Sequence, residues 1–184
     1  MTTIGFDRRY GGKVMAEFNK NLWAPWRMEY IRSLGEEIAD DGCFLCRYWA
    51  IPADDAVNHV VHRGVAVFTV MNRSPYTNGH LLVALGDHRS DLTDLSEEEL
   101  ACFHLAIRDA VELLRKTIQP QGFNVGFNLG HCAGAGLPGH LHAHVVPRWS
   151  GDTNFMAVLG DVRVVPDSLG ALYQELRASM GAKG

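Results

Sequence analysis

Three histidines within five residues are the first candidates for chemistry. His140, His142 and His144 alternate with Leu141, Ala143 and Val145. A strand puts every second side chain on one face, so the alternation predicts a strand over 140–146 with its imidazoles in one row. Nine of the 184 residues are histidine. At that frequency chance supplies His-x-His-x-His in roughly two of every hundred such chains, so the pattern calls for a cause. Such a row suits an imidazole that attacks phosphorus while its neighbours orient it. It equally suits a metal held by two or three imidazoles, or a plain polar face. The preceding segment, GHCAGAGLPG, favours a phosphate. Gly130, Gly134, Gly136 and Gly139 let backbone approach closely and aim N–H groups at an anion.

A second candidate is Cys43-Phe44-Leu45-Cys46, whose spacing lets two thiolates share one tetrahedral metal. Alone it is half a site. A thioredoxin-type redox pair needs a βαβ context that the flanking sequence lacks, and two reduced, half-buried thiols are the plainer reading. Cys102 falls on a helix and reads as core; Cys132 falls in the glycine loop. His80 stands where it could support the histidine strand from behind. His59, His62 and His104 read as surface or half-buried groups, and His131 lies in the loop.

The elements that must position these groups are legible. VAVFTVM (65–71) and HLLVAL (80–85) are apolar, β-rich runs around the turn NRSPYTNG, which predicts an antiparallel hairpin. Ser96 followed by Glu99 is a capping box, and Leu100, Phe103, Ile107, Val111 and Leu114 mark one helical face up to about Thr117. FNVGFNL (123–129) and HLHAHVV (140–146) read as two more strands, with Pro147 ending the second or marking an edge. A last helix follows Asp167, with Leu169, Leu172, Tyr173, Leu176 and Met180 on one face. The order β-β-α-β-β-α predicts an α+β fold, two main helices on a largely antiparallel sheet. Residues 1–40, with Trp23, Trp26 and Tyr30, read as an N-terminal extension or strap, and 41–184 as the domain.

Composition narrows the partners. Hydrophobic residues are 47% and charged residues 21%, which suits a packed core. Net charge is −4, which argues against bulk nucleic-acid binding. No run approaches the ~18 apolar residues of a membrane span, and the first residues carry no apolar leader. A cytoplasmic setting with reduced thiols is expected.

GHLHAHVVPRW resembles the motif of the histidine triad (HIT) nucleotide hydrolases and transferases. His144 in the third position, rather than glutamine, makes the galactose-1-phosphate uridylyltransferase branch a poorer fit. LWAPWRMEYI, PYTNGHLLV, GFNVGFNLG and HVVPRWSGDTNF further resemble the diadenosine tetraphosphate phosphorylase group. The resemblance implies a HIT-like fold with His142 as nucleophile on an α-phosphorus, forming a nucleotidyl-histidine. His144 would assist orientation and transition-state charge. Asn72 would meet ribose hydroxyls, Asn128, Gly134, Ala135 and Gly136 would face the phosphates, and Trp149, close behind the triad strand, would also bind the nucleotide. Some bacterial relatives complete a structural zinc site at the positions of Cys43, Cys46, His88 and His140. The implied ligand is an adenine nucleotide or dinucleoside polyphosphate, the acceptor inorganic phosphate or water, with no organic cofactor, and the assembly a homodimer. Alternatives are hydrolysis of adenosine 5'-phosphoramidate or other AMP conjugates, a metal-dependent hydrolase using all three histidines, or a nucleotide-binding module without turnover. One departure stands out. Many relatives carry a serine or threonine in the loop, and Ala133-Gly134-Ala135-Gly136-Leu137 offers no hydroxyl.

Overall fold

Two uninterrupted apolar runs, VFTVM and LLVAL, form the middle of the molecule. In the computed structural model, which describes residues 42–152 and 167–181, every residue of both runs is buried. Burial on both faces accounts for runs that do not alternate. The strands are β1 (Val60–Arg63), β2 (Val67–Met71), β3 (Leu81–Leu85), β4 (Gly122–Phe127) and β5 (His142–Arg148). All pairings are antiparallel, in the order β1-β2-β3-β5-β4.

The helices are α1 (Phe44–Ala50), α2 (Asp55–Asn58), α3 (Glu97–Ile118) and α4 (Leu169–Gly181). Among them α3 and α4 are the two main helices expected, and they cover one face of the sheet. There Phe103, Leu114, Leu172 and Leu176 pack against Val61, Leu81, Val83, Ala143 and Val145. The other face holds α1, whose Leu45 and Tyr48 meet Val60, Phe68, Val70, Leu82 and Ala84. In the β3–β5 pair, Leu82 stands opposite His144 and Ala84 opposite His142. Directly opposed residues share a face, so both histidines lie on the α1 side.

α3 starts as its sequence dictates. The Glu99 N–H donates to Ser96 Oγ at 3.2 Å and the Ser96 N–H to Glu99 Oε2 at 2.8 Å. It stops at Gln119, whose φ of 48° breaks the helix before Pro120. The short α1 is tied down at its C-terminal end. The Arg63 guanidinium donates to the carbonyls of Tyr48 and Trp49 and grips Asp55 through both carboxylate oxygens.

Three boundaries differ from the sequence reading. β1 escapes it, because VVHR is short, half polar and bulged between Val60 and His62. β5 begins at His142, so His140 precedes the strand and leaves the imidazole row. The strand also runs through Pro147, which faces Phe123 of β4 beyond the last pair with β3. The N-terminal extension with Trp23, Trp26 and Tyr30, and most of the segment after Asp152 up to the last helix, lie outside the described residues.

Gly79 joins fold to site. Its φ is +82°, and a Cβ there would come within 2.6 Å of Ile118 Cδ1 and 3.2 Å of Pro147 Cγ. Gly79→Ala therefore meets left-handed strain and overpacking together, and should cost about 2 kcal/mol of stability in urea unfolding. An unchanged midpoint would show that the turn can shift to admit a methyl group.

Candidate active site and metal cluster

Burial decides the charge of the triad. His142 is 7% exposed, and burial holds its pKa below the ordinary value, with the His140 carbonyl opposing weakly. His144 is pushed down to about 4, first by burial and then by the charge of His142. Both rings are therefore neutral near pH 7, and each has a definite tautomer. His142 Nδ1 lies 2.7 Å from the carbonyl of His140. A carbonyl only accepts, so Nδ1 carries the proton and Nε2 the lone pair.

The tautomer of His144 follows from a longer chain. The Ser74 N–H donates to Asn72 Oδ1 at 2.9 Å, which turns Asn72 Nδ2 toward His80 Nδ1 at 3.2 Å. The Tyr76 N–H also donates to His80 Nδ1, at 3.1 Å. His80 must then carry its proton on Nε2, which donates to His144 Nδ1 at 2.9 Å. His144 is left with an Nε2–H donor. The rings of His142 and His144 stand 5.1 Å apart, and Tyr76 stacks on His80 with centroids 4.8 Å apart. His80 thus belongs to the site as the group that sets His144. Its position after Asn78-Gly79 was visible in the sequence, but its contact was not.

His140 turns away from this pair, toward the cysteines. Its Nδ1 lies 3.1 Å from Cys43 Sγ and 3.4 Å from Cys46 Sγ, while His88 Nδ1 lies 3.2 Å from Cys46 Sγ. The four ligand atoms all fall within 4.8 Å of one another, so the cluster could hold a metal ion. The donor chemistry fits. His140 Nε2–H donates to the Leu85 carbonyl at 2.8 Å, which fixes the lone pair on the nitrogen that faces the thiols. Burial, then Cys43, push the Cys46 thiol up to about 11, a sign that a bound cation would reverse. Among the described residues this is the one group of three or more metal-capable side chains, and His142 and His144 are outside it.

The glycine loop folds back over the same face. Leu137 packs on the cluster of Leu45, Phe68, Leu82 and Ala84, the last two being the strand partners of the histidines. Asn128 Nδ2 donates to the Gly134 carbonyl at 3.4 Å, Ala135 is buried, and Gly134 and Gly136 have open space beside them. Trp149 lies past the end of β5, five residues beyond His144, with its N–H on Asp152. A cavity of about 310 Å³ opens beside Asn72, lined by Phe44, Arg47, Tyr48, Arg73, Ser74 and Leu82 among others. It brings two aromatic rings and two guanidinium groups next to the strand partner of His144. Sequence reading missed it, because Phe44 lies inside the C-x-x-C and Arg73 inside a turn.

Residues 55–151 match the HIT domain. The chain is 37% identical over 167 residues to an AP-4-A phosphorylase of Mycobacterium tuberculosis, covering 89% of this chain and 84% of that protein. Among solved structures, a zinc-bound histidine triad family protein from Mycobacterium smegmatis superposes with a TM-score of 0.60 at 29% identity, over 76% of this chain and 96% of that one. A Plasmodium falciparum diadenosine triphosphate hydrolase shares the fold alone, with a TM-score of 0.55 at 18% identity over 68% of this chain and 78% of that one. The matched domain spans the sheet, the glycine loop and the triad together, and with the long full-chain alignment this places the chain in the histidine triad (HIT) family.

Proposed function

We propose that this protein transfers the nucleotidyl group of a dinucleoside polyphosphate of the diadenosine tetraphosphate type, by way of His142, to inorganic phosphate. The tautomer lock on His142 carries this reading: a buried, neutral imidazole whose Nδ1–H is spent on a backbone carbonyl has its Nε2 lone pair ready for phosphorus. Attack on an α-phosphorus forms an Nε2–P bond and expels the remaining polyphosphate as ATP. Phosphate oxygen then displaces the histidine and leaves as ADP. His144 Nε2–H serves a phosphoryl oxygen, and the backbone N–H groups around Gly134 and Gly136 take the developing charge. The cavity between Phe44, Tyr48 and Asn72 accommodates a nucleoside, with Arg47 and Arg73 near its phosphates. The mycobacterial relative supports phosphate as the acceptor.

The metal we assign to Cys43, Cys46, His88 and His140 is zinc, a structural ion. Two thiols and two imidazoles are its usual ligands, and the zinc-bound relative supports the choice. A metal hydrolase built on all three histidines has no such ligand set. We place a second copy of the chain against the outer edge of β4, which pairs with no further strand among the described residues and where Val125 is 47% exposed.

Incubation with diadenosine tetraphosphate should give ADP only when phosphate is present, and without phosphate no more than one ATP per chain, with an AMP adduct on His142 by mass spectrometry. His142→Ala should lower turnover by a factor on the order of 10⁴ or more. AMP as product without phosphate would replace the phosphorylase with a hydrolase; an adduct elsewhere would remove His142 as nucleophile.

Turnover should hold well below pH 6.5. Burial favours neutral His144, so protonation waits until pH nears about 4, where His144 can no longer accept from His80. In His80→Ala that acceptor loses its donor, and kcat should fall about 10-fold, the equivalent of roughly 1.4 kcal/mol. An acid limb centred at pH 6.5 or above in the unaltered protein would contradict a neutral, half-buried His144.

A further inference from the structure

We propose that the Cys43–Cys46–His88–His140 cluster is a positioning device for the nucleophile, so that its zinc loading sets the alignment of His142. The inference rests on His142 being the nucleophile, and it follows from one peptide unit. The C=O of His140 and the N–H of Leu141 belong to the same rigid plane. That C=O accepts from His142 Nδ1 at 2.7 Å, and that N–H donates to the Arg89 carbonyl at 2.6 Å. Arg89 directly follows the ligand His88 and is itself pinned to Glu99 at 2.6 Å. The plane that orients the nucleophile is thus flanked on both sides by metal-capable residues, with the His140 ring on one and the His88 loop on the other.

The His140 ring has no other freedom. It is 1% exposed, with Nε2–H on Leu85 and Nδ1 on the two thiols. The thiols sit at the start of α1, where Cys43 accepts from the Cys46 N–H. α1 is held in turn by Arg63. A shift of the cluster is therefore passed to the 140–141 peptide through the His140 ring on one side and the His88–Arg89 loop on the other, and a displacement of about 1 Å at a nucleophile costs on the order of 10² in rate.

The same linkage makes the site responsive to thiol oxidants. Hydrogen peroxide can take one electron from each of the Cys43 and Cys46 thiolates, and two protons from solvent, forming one S–S bond and two waters and releasing the zinc. His140 Nδ1 then loses the ion and the two thiol partners it faces, and only the Leu85 carbonyl still holds its ring.

The test uses the full chain with ¹⁵N-labelled histidine, zinc analysis and steady-state kinetics on diadenosine tetraphosphate. With one zinc bound, His142 should show a single Nδ1–H tautomer. Stripping zinc with a chelator, or treating with peroxide, should convert that signal to a tautomer mixture while backbone amide signals stay native. kcat should drop about 10-fold or more with KM within about two-fold. Dithiothreitol and zinc should restore both. His88→Ala removes an exposed ligand that does not touch His142, and should weaken zinc binding with the same change in the His142 signal. The proposal is overturned by a chain that binds no zinc, or by a His142 signal unchanged after zinc loss. Unfolding of both the stripped chain and the variant also overturns it, since the cluster would then hold the fold rather than the nucleophile. Failure to form an AMP adduct on the zinc-loaded chain removes the proposed reaction instead, and leaves the His142 signal to decide the linkage.

Discussion

A neutral imidazole has one lone pair, and this protein must decide which nitrogen holds it. Three rings depend on that decision, and in each a backbone group makes it. The Leu85 carbonyl takes the Nε2 proton of His140, so Nδ1 faces sulfur. The His140 carbonyl takes the Nδ1 proton of His142, so Nε2 keeps the lone pair. The Tyr76 N–H blocks Nδ1 of His80, so Nε2–H must face His144. Backbone groups are suited to this task because strands and turns already fix their direction, with no rotamer to freeze. Side chains, by contrast, would each need orienting partners of their own.

Neutrality has to be enforced as well, and the sheet does this by location. β3 and β5 are interior strands, and their pairing sets His142 beside Ala84 and His144 beside Leu82. Small or apolar neighbours supply no counter-charge, so burial is the largest cause that drives both pKa values down, with the charge of His142 adding to it at His144. The helix-covered face supplies the stability that makes such burial tolerable. Phe103, Leu114, Leu172 and Leu176 are each almost fully buried there, and each such side chain is worth roughly 1.5–3 kcal/mol. The two faces thus divide the work: α3 and α4 stabilise, while α1 and the glycine loop present chemistry.

Much of this was legible because its signals are local. The capping box at Ser96, the apolar face of α3 and the alternation after His140 are each written in a short stretch of neighbouring residues, and the structure has each of them. What was hidden depends on distant partners. The contact of His80 with His144 crosses from one strand to another, and the pinning of the 140–141 peptide by Arg89 needs a loop 50 residues upstream. His140 leaves the strand because its ring is claimed by Cys43 and Cys46, nearly a hundred residues away. Period-two alternation cannot register a competition of that kind. The C-x-x-C likewise concealed that its intervening Phe44 and Leu45 serve packing, Leu45 being fully buried and Phe44 lining the cavity.

The missing hydroxyl in the glycine loop becomes intelligible as packing. Leu137 drops onto Leu45, Phe68, Leu82 and Ala84, and so pins the loop to the histidine face by apolar burial. A serine or threonine there would offer a hydrogen bond to substrate but less surface to the sheet. Next to the anchors Leu137 and buried Ala135, Gly134 and Gly136 keep open space beside their Cα atoms. Their N–H groups are then held in place before substrate arrives, which is the condition under which backbone donors stabilise a transition state best. On the proposed reaction, a loop of this kind exchanges one side-chain donor for a more rigid set of main-chain donors.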